Sequence, residues 1–287
     1  MNYLIADSGS TKTDWLLAVD GEQDYRTFQT SGINPSLMSE SQVAEIMSPL
    51  ADFLAQNASL NSSDVSIAFY GAGCTEAVSG IVEQALRMSV PSASHISVHS
   101  DLLGAARALC KRSEGIACIL GTGSNSCLYD GENIVRHTPP LGYVLGDEGS
   151  GAVFGRQLVN AVFKGRLPET VVNDFLTLVP GGIAEVQRRV YREAAPNRWL
   201  ASLAHFAERH LDCPEITEMV VENFVSFIRI NVVPYGRRDL PLNFVGGMAA
   251  IFQAQLAQAV EESGFKMGQV LRRPIQALAD YHHQFGV

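Results

Sequence analysis

Positive charge is scarce in this chain. Lys and Arg total 21 against 30 Asp and Glu, giving a net charge of −9 over 287 residues. That balance argues against nucleic acid or an anionic membrane surface as a partner, since both require a cationic face. Charged residues of either sign are few, 18% beside 46% hydrophobic, which argues against long disordered tracts. No apolar run reaches the roughly 18 residues that mark a bilayer-spanning helix. The start of the chain, Met1-Asn2-Tyr3-Leu4, has no basic and then apolar leader, so no secretory signal is expected. Five cysteines (Cys74, Cys110, Cys118, Cys127, Cys213) are odd in number and scattered, without a CxxC or a Cys/His metal spacing. Reduced, buried thiols in a cytoplasmic protein are the expectation. The GxxxxGK[ST] pattern of P-loop NTPases is missing, and no GxGxxG opens a helix after the first strand.

What is present is one local grammar written twice. Asp7-Ser8-Gly9-Ser10-Thr11-Lys12-Thr13 follows the strand-like Tyr3-Leu4-Ile5-Ala6, and Gly121-Thr122-Gly123-Ser124 follows Ile116-Ala117-Cys118-Ile119-Leu120. Each turn leads into a second apolar run that ends in Asp-Gly, at Asp20-Gly21 and at Asp130-Gly131. Small-residue turns leave backbone N–H groups unscreened and add hydroxyl donors, a combination suited to phosphate oxygens. Two of them across a cleft could grip one polyphosphate from both sides.

The spacing predicts strands at 2–7, 13–19 and 24–31, a helical stretch at 39–57 with Ser39 as N-cap, and a strand at 65–70. A helix capped by Thr75 and running to Met88 follows, then a strand at 95–99 and a helix from Asp101 to Cys110. Strands restart at 116–120, 124–130 and 133–138. Residues 150–232 read as four or five helices broken by prolines and glycines. A strand at 242–247, a helix at 248–263, a strand at 265–271 and a helix at 274–284 complete the chain. This alternation predicts an α/β protein with two similar mixed sheets, divided near 110–115. Ligands in such folds gather at strand ends. His282-His283 reads as a solvated helix end.

Several residues stand out by type and place. Asp7 lies where a strand runs out, and its alternatives are cation binding or capping its own turn. Asp101 follows a strand and opens a helix. It could accept a proton from an attacking hydroxyl, or serve as an N-cap. Asn34, in Ser31-Gly32-Ile33-Asn34-Pro35, could contact a ligand or only shape a turn. Gly142 to Ser150 reads as a loop rich in glycine, with adjacent acids Asp147 and Glu148 that suit sugar hydroxyls or a helix N-terminus. Gly246-Gly247 opens a helix where bare backbone could lie against a nucleoside, or where helix and sheet pack closely. Lys12, Arg156, Arg237 and Arg238 are cations that could touch phosphate, with the arginines read as solvated.

Taken in order, Asp7-x-Gly9-x-Thr11-Lys12-Thr13, Gly121-Thr122-Gly123-Ser124, Gly146-Asp147-Glu148-Gly149-Ser150 and Gly246-Gly247 resemble the sugar kinase/Hsp70/actin superfamily. Within it they look like the BadF/BadG-type branch that includes N-acetylglucosamine kinases. The resemblance covers nearly the whole chain, although Ser8 stands where glycine is frequent. It implies two ribonuclease-H-like (actin-like ATPase) domains flanking an interdomain cleft, at 1–111 and 112–273. The last helix, 274–287, is a candidate to pack back on the first. It implies ATP and Mg²⁺ as cofactors, with Asp7 orienting the metal. Gly9, Ser10, Thr11, Lys12, Gly121, Thr122, Gly123 and Ser124 would lie on phosphates, and Gly246 and Gly247 on adenosine. Asp101 becomes the catalytic base, and Asn34, Asp101, Gly142 and Asp147 the acceptor contacts. The expected reaction is phosphorylation of an amino-sugar hydroxyl, N-acetylglucosamine first, by a cytoplasmic enzyme for which a homodimer is compatible. The alternatives are an ATPase activator of a dehydratase-type partner, or a non-catalytic nucleotide-binding regulator.

Overall fold

The computed structural model describes residues 2–9, 11–22, 24–57 and 65–286. The chain divides into two compact units. The first comprises Met1–Arg112, Gly131–Asn133 and Arg273–Val287, and the second Ser113–Asp130 and Ile134–Arg272.

The first unit begins with β1 (Asn2–Ser8), β2 (Lys12–Ala18) and β3 (Arg26–Ser31), then α1 (Glu40–Met47), α2 (Pro49–Gln56), β4 (Val65–Gly71), α3 (Ser79–Ser89), β5 (Ala93–Ser100) and α4 (Asp101–Cys110). Its sheet runs β3-β2-β1-β4-β5. The first three strands pair antiparallel, whereas β4 and β5 join β1 in parallel. Because side chains alternate across a strand, Leu4, Ala6, Ile67 and Phe69 share one core with Trp15, Val43 and Leu86. The other face carries buried Ile5, Ala68 and Tyr70. It is covered by α4 and by the chain's last helix, which packs on β1, β2 and α4.

Ser39 caps α1 through a reciprocal capping box with Gln42. The helical stretch at 39–57 is two helices, because Pro49 lacks the N–H that a continuous ladder needs. The helix expected from Thr75 starts four residues later. Thr75 uses its carbonyl, not its side chain, in the turn that precedes α3, accepting from Val78 and Ser79 N–H groups at 3.1 and 2.9 Å.

The second unit contains β6 (Gly115–Leu120), β7 (Ser124–Tyr129), β8 (Ile134–His137), α5 (Gly142–Leu145), α6 (Gly151–Phe163), α7 (Glu169–Leu178), α8 (Gly182–Tyr191), α9 (Pro196–Ser202), α10 (Ala204–Arg209) and α11 (Pro214–Phe227). A π turn (Ile228–Val232) and a 3₁₀ turn (Val233–Tyr235) extend α11. Then come β9 (Leu242–Val245), α12 (Gly247–Ile251), α13 (Gln253–Glu262) and β10 (Met267–Leu271). The order β10-β9-β6-β7-β8 repeats the pattern of the first sheet, with a parallel half and an antiparallel half. Helices α6, α11 and α13 supply Phe154, Phe224, Phe227 and Leu256 to its core. The helix expected at 248–263 breaks at Phe252, which ends α12.

The final helix, α14 (Ile275–Phe285), belongs to the first unit. His282 on it is buried, not solvated. Its Nε2 lies 2.8 Å from the Tyr70 hydroxyl, which Arg107 also reaches at 2.8 Å. Burial first, then the nearby Arg107, offsets a backbone bond and pushes the His282 pKa down to about 4. All five cysteines are buried. Among the described residues no helix is long and apolar enough to cross a membrane.

Candidate nucleotide and acceptor site residues

In the first unit, two carboxylates stand at the C-terminal end of the parallel strands. Asp7 lies near the end of β1, in register with Tyr70 of β4, which in turn faces His99 of β5. Asp101 follows β5 directly. Two strand spacings put these positions roughly 10 Å apart laterally. Both carboxyl groups sit deep among protein atoms although each residue keeps a small exposed surface. Burial, followed by the charges of Asp101 and Asp14, raises the Asp7 pKa to about 7. Burial alone lifts Asp101 to about 6 against its backbone hydrogen bonds. A negative site compensated so incompletely favours a cation.

Capping does not explain Asp101. Ser100 caps α4, its hydroxyl accepting from Leu103 N–H at 3.2 Å. Asp101 is the first helical residue and accepts from Leu102 N–H at 2.9 Å.

The first glycine turn is fastened by side chains. The buried Ser8 hydroxyl lies 2.8 Å from the Thr13 hydroxyl and accepts from Ile33 N–H at 2.9 Å. Serine in place of glycine therefore locks the turn to the segment that carries Asn34. Gly9 N–H donates to Lys12 C=O at 3.0 Å, and nothing closer than 3.9 Å would meet a side chain there. Thr11 is exposed and its carbonyl accepts from Gly32 N–H at 3.2 Å. Ser10 lies outside the described residues. Lys12 pairs with Asp14 at 2.8 Å and keeps 38% of its side chain exposed. Asn34 is held by its own turn, its Oδ1 accepting from Ser36 N–H at 3.1 Å. A Cβ on Gly73 would fall 2.1 Å from that oxygen, so only glycine fits beside Asn34.

In the second unit the glycine turn is fastened by backbone. Gly121 N–H bonds Gly123 C=O at 2.9 Å, while Gly151 and Ala152 N–H groups take the Gly121 and Thr122 carbonyls at 2.8 and 3.1 Å. With those carbonyls occupied by the start of α6, the turn's remaining chemistry is that of donors. Ser124 is buried and paired into β7 opposite Leu120. Residues expected as a loop, 142–150, begin instead with the short helix α5. Asp147 then adopts a left-handed φ of 54°. Its carboxylate accepts from Gly142 N–H and rests against Gly123, where an added Cβ would lie 2.9 Å from Oδ2. Burial, with a lesser push from Glu148, raises its pKa. This unit therefore brings the glycine turn, Gly142 and Asp147 together. Gly246 joins them with φ 127°, and a Cβ there would sit 2.3 Å from Leu120 C=O. Close packing thus accounts for Gly246. Gly247 has nothing within 4 Å of its missing Cβ, so its face is open to a ligand.

The predicted cations divide. Arg156 donates to Tyr143 C=O at 3.0 Å, Arg237 pairs with Glu114 and Asp239, and Arg238 donates to Ser263 C=O at 2.6 Å while lying over Phe265. Sequence reasoning missed Asp14 and Arg273. Asp14 faces Asp7 across the β1–β2 ladder, holds Lys12 and accepts from Gln29; Arg273 approaches it at 4.0 Å. Hairpin symmetry about Gly9–Thr11 could have found Asp14. Asn223 and Asn231, which hold Glu148 to Ser150, carried no signal in the sequence.

This arrangement resembles known structures closely. A proposed N-acetylglucosamine kinase from Porphyromonas gingivalis is 44% identical, with a TM-score of 0.93 over 99% of this chain and 100% of that one. The chain belongs to the N-acetylglucosamine kinase family. A second proposed kinase of this family, from Chromobacterium violaceum, is 19% identical with a TM-score of 0.76 over 98% of each chain. A non-polymerising MamK mutant bound to AMPPNP is 13% identical with a TM-score of 0.57, over 99% of this chain and 98% of that one. These two show the fold alone, that of actin-like ATPases and sugar kinases. No protein-family model matches the chain, and neither does any curated protein sequence.

Proposed function

We infer that this protein is an ATP-dependent kinase that phosphorylates a hydroxyl of an amino sugar, N-acetylglucosamine before others. The observation that carries the reading is Asp101. It is a buried carboxylate with a pKa near 6, released from capping by Ser100, in a chain 44% identical to a proposed N-acetylglucosamine kinase. A base with that pKa is ionised at neutral pH and still basic enough to take a proton in the transition state.

In this reading Asp101 accepts the proton of the sugar hydroxyl, the 6-hydroxyl by analogy, as the oxygen attacks the γ-phosphorus. The bond to the β-phosphate oxygen breaks and ADP leaves. Catalysis is then largely positioning and electrostatic stabilisation. Thr11, Lys12, Thr122 and Gly123 donate to phosphate oxygens, and Gly9 gives the bare backbone that lets them approach. Gly247 offers bare backbone to the nucleoside. Asn34 Nδ2 donates to a sugar hydroxyl and the Asp147 carboxylate accepts from one. The undercompensated charge at Asp7 fits Mg²⁺, which takes one or two carboxylates, and keeps waters; when bound, the ion would neutralise phosphate charge. We place the protein in the BadF/BadG-type branch, acting in the cytoplasm where ATP is supplied.

The test is a coupled ADP-release assay with Mg-ATP over a panel of amino sugars. Sugar-stimulated release with formation of a sugar phosphate is expected. Release that no sugar stimulates would overturn the reading.

A further inference from the structure

Three side chains on α11 and its extension, Asn223, Phe227 and Asn231, recur at intervals of four. Each touches the segment just after Asp147. Asn231 Nδ2 donates to Glu148 Oε2 at 3.2 Å. Asn223 Oδ1 accepts from Gly149 N–H at 3.1 Å, and its Nδ2 donates to Ser150 C=O at 3.3 Å. Gly149 has φ 79°, and a Cβ on it would lie 2.7 Å from Phe227 Cβ. One edge of one helix thus grips three consecutive residues.

An unbroken α-helix would splay that edge. At 3.6 residues per turn, residues eight apart are turned by about 80° from one another. The π turn at Ile228–Val232 has wider rings and takes up the surplus, so Asn231 returns to the side of Asn223. The Asn231 carbonyl lies in the last turn of this helix, where carbonyls lack an intrahelical partner. That carbonyl accepts instead from Ser126 Oγ at 3.3 Å and Thr138 Oγ1 at 2.9 Å. Asn231 is therefore fixed at both ends before it meets Glu148.

The residue that gains from this is Asp147. Its left-handed φ is costly for a residue with a Cβ and persists only where its neighbours over-determine it. Its carbonyl accepts from Ser150 N–H at 3.1 Å, and Ser150 is one of the residues held by Asn223. We propose that Asn231, delivered by the π turn, is a positioning residue for acceptor binding: it anchors Glu148 and so fixes the backbone from which Asp147 meets the sugar. This rests on the amino-sugar kinase reading and adds a determinant of acceptor affinity to it.

The swap of the hydrogen-bonding pair tests it. N231D sets a carboxylate against Glu148 and against Phe227 C=O, to which Asn231 Nδ2 also donates at 3.3 Å, whereas N231D with E148Q restores one acid and one amide at the Glu148 contact with donor and acceptor reversed. We expect N231D to lower kcat/KM for the sugar about tenfold or more, through KM, with KM for ATP within about twofold. The double variant should recover to within about threefold of the parent. An N231D enzyme with unchanged sugar KM overturns the proposal. So does an equal loss for ATP and sugar, or no recovery in the double variant, since each would mark a general structural role. Absence of sugar-dependent ADP release in the parent protein is distinguishable, because it overturns the kinase reading and this proposal with it.

Discussion

The two glycine turns share a sequence grammar and differ in how they are built. The first is surrounded by charge: Asp7, Asp14 and Asp101 against Lys12 and Arg273, with side-chain hydroxyls fastening the turn. The second is built from backbone, its carbonyls taken by α6, its Gly123 packed against Asp147, and the Leu120 carbonyl just before it packed against Gly246. The difference separates two tasks that one fold repeat has divided. Where charge is concentrated, substitution should remove chemistry and relieve an unfavourable burial. Where backbone is packed, substitution should cost stability before it touches chemistry.

Asp101→Asn is the sharpest test of the first half. The amide keeps an oxygen for Leu102 N–H but cannot take a proton, so kcat should fall by at least about 100-fold while ATP still binds. Single-turnover kinetics beside nucleotide titration checks this. Stability should move the other way. Burial raises the Asp101 pKa from 3.8 to about 6. Between those values the unfolded chain has released its proton and the folded protein has not, so stability falls as pH rises. Below 3.8 both states are protonated and the group contributes nothing. The ligand-free variant should therefore melt above the parent at pH 8, and the gap should close by about pH 3.5. A variant that melts lower at pH 8 would show that the carboxylate stabilises the fold.

Gly246→Ala tests the other half. The new methyl would meet Leu120 C=O, a backbone atom that cannot swing aside, at a φ that alanine avoids. Overpacking of this kind costs about 1–3 kcal/mol, read as a lower denaturation midpoint at unchanged slope. Retained stability would mean that the second turn is softer than its packing suggests.

These outcomes also bear on what the sequence could tell. The meander of β1 to β3 was legible because alternation and the Asp20-Gly21 turn agree, and the Ser39 cap because its partner Gln42 lies three residues on. Asp7 and Asp101 were legible as strand-end acids. Their environments were not, since burial and the push of Asp101 on Asp7 depend on strands far apart in sequence. Asp101's freedom from capping turned on Ser100, one residue earlier, which competes for the same role. The burial of His282 needed α14 to return to the first unit. Asn231 was the least legible, because a π turn has no pattern of its own and its effect is a change of helical phase.

The pH dependence of turnover sharpens the contrast from the side of charge. A base near pH 6 must be ionised to act. Log kcat/KM should then rise with unit slope below about pH 6 and level off above it, and the residual activity of Asp101→Asn should lack that limb. A limb that survives in the variant would assign it to another group.

Gly247→Ala has the smallest expected effect and divides the glycine pair most finely. Gly246 is explained by Leu120, whereas the space beside Gly247 is open to at least 4 Å. Gly247 is also the first residue of α12, where alanine is favoured over glycine by up to about 1 kcal/mol. The variant should therefore melt at or slightly above the parent. If a nucleoside lies against this backbone, the methyl intrudes on the ligand alone, and KM for ATP should rise about threefold to tenfold with kcat and sugar KM little changed. Unchanged ATP affinity would move the nucleoside off Gly247. It would leave the second unit's glycine pair as a packing device, and the contrast between the two turns would then be one of charge against scaffold throughout.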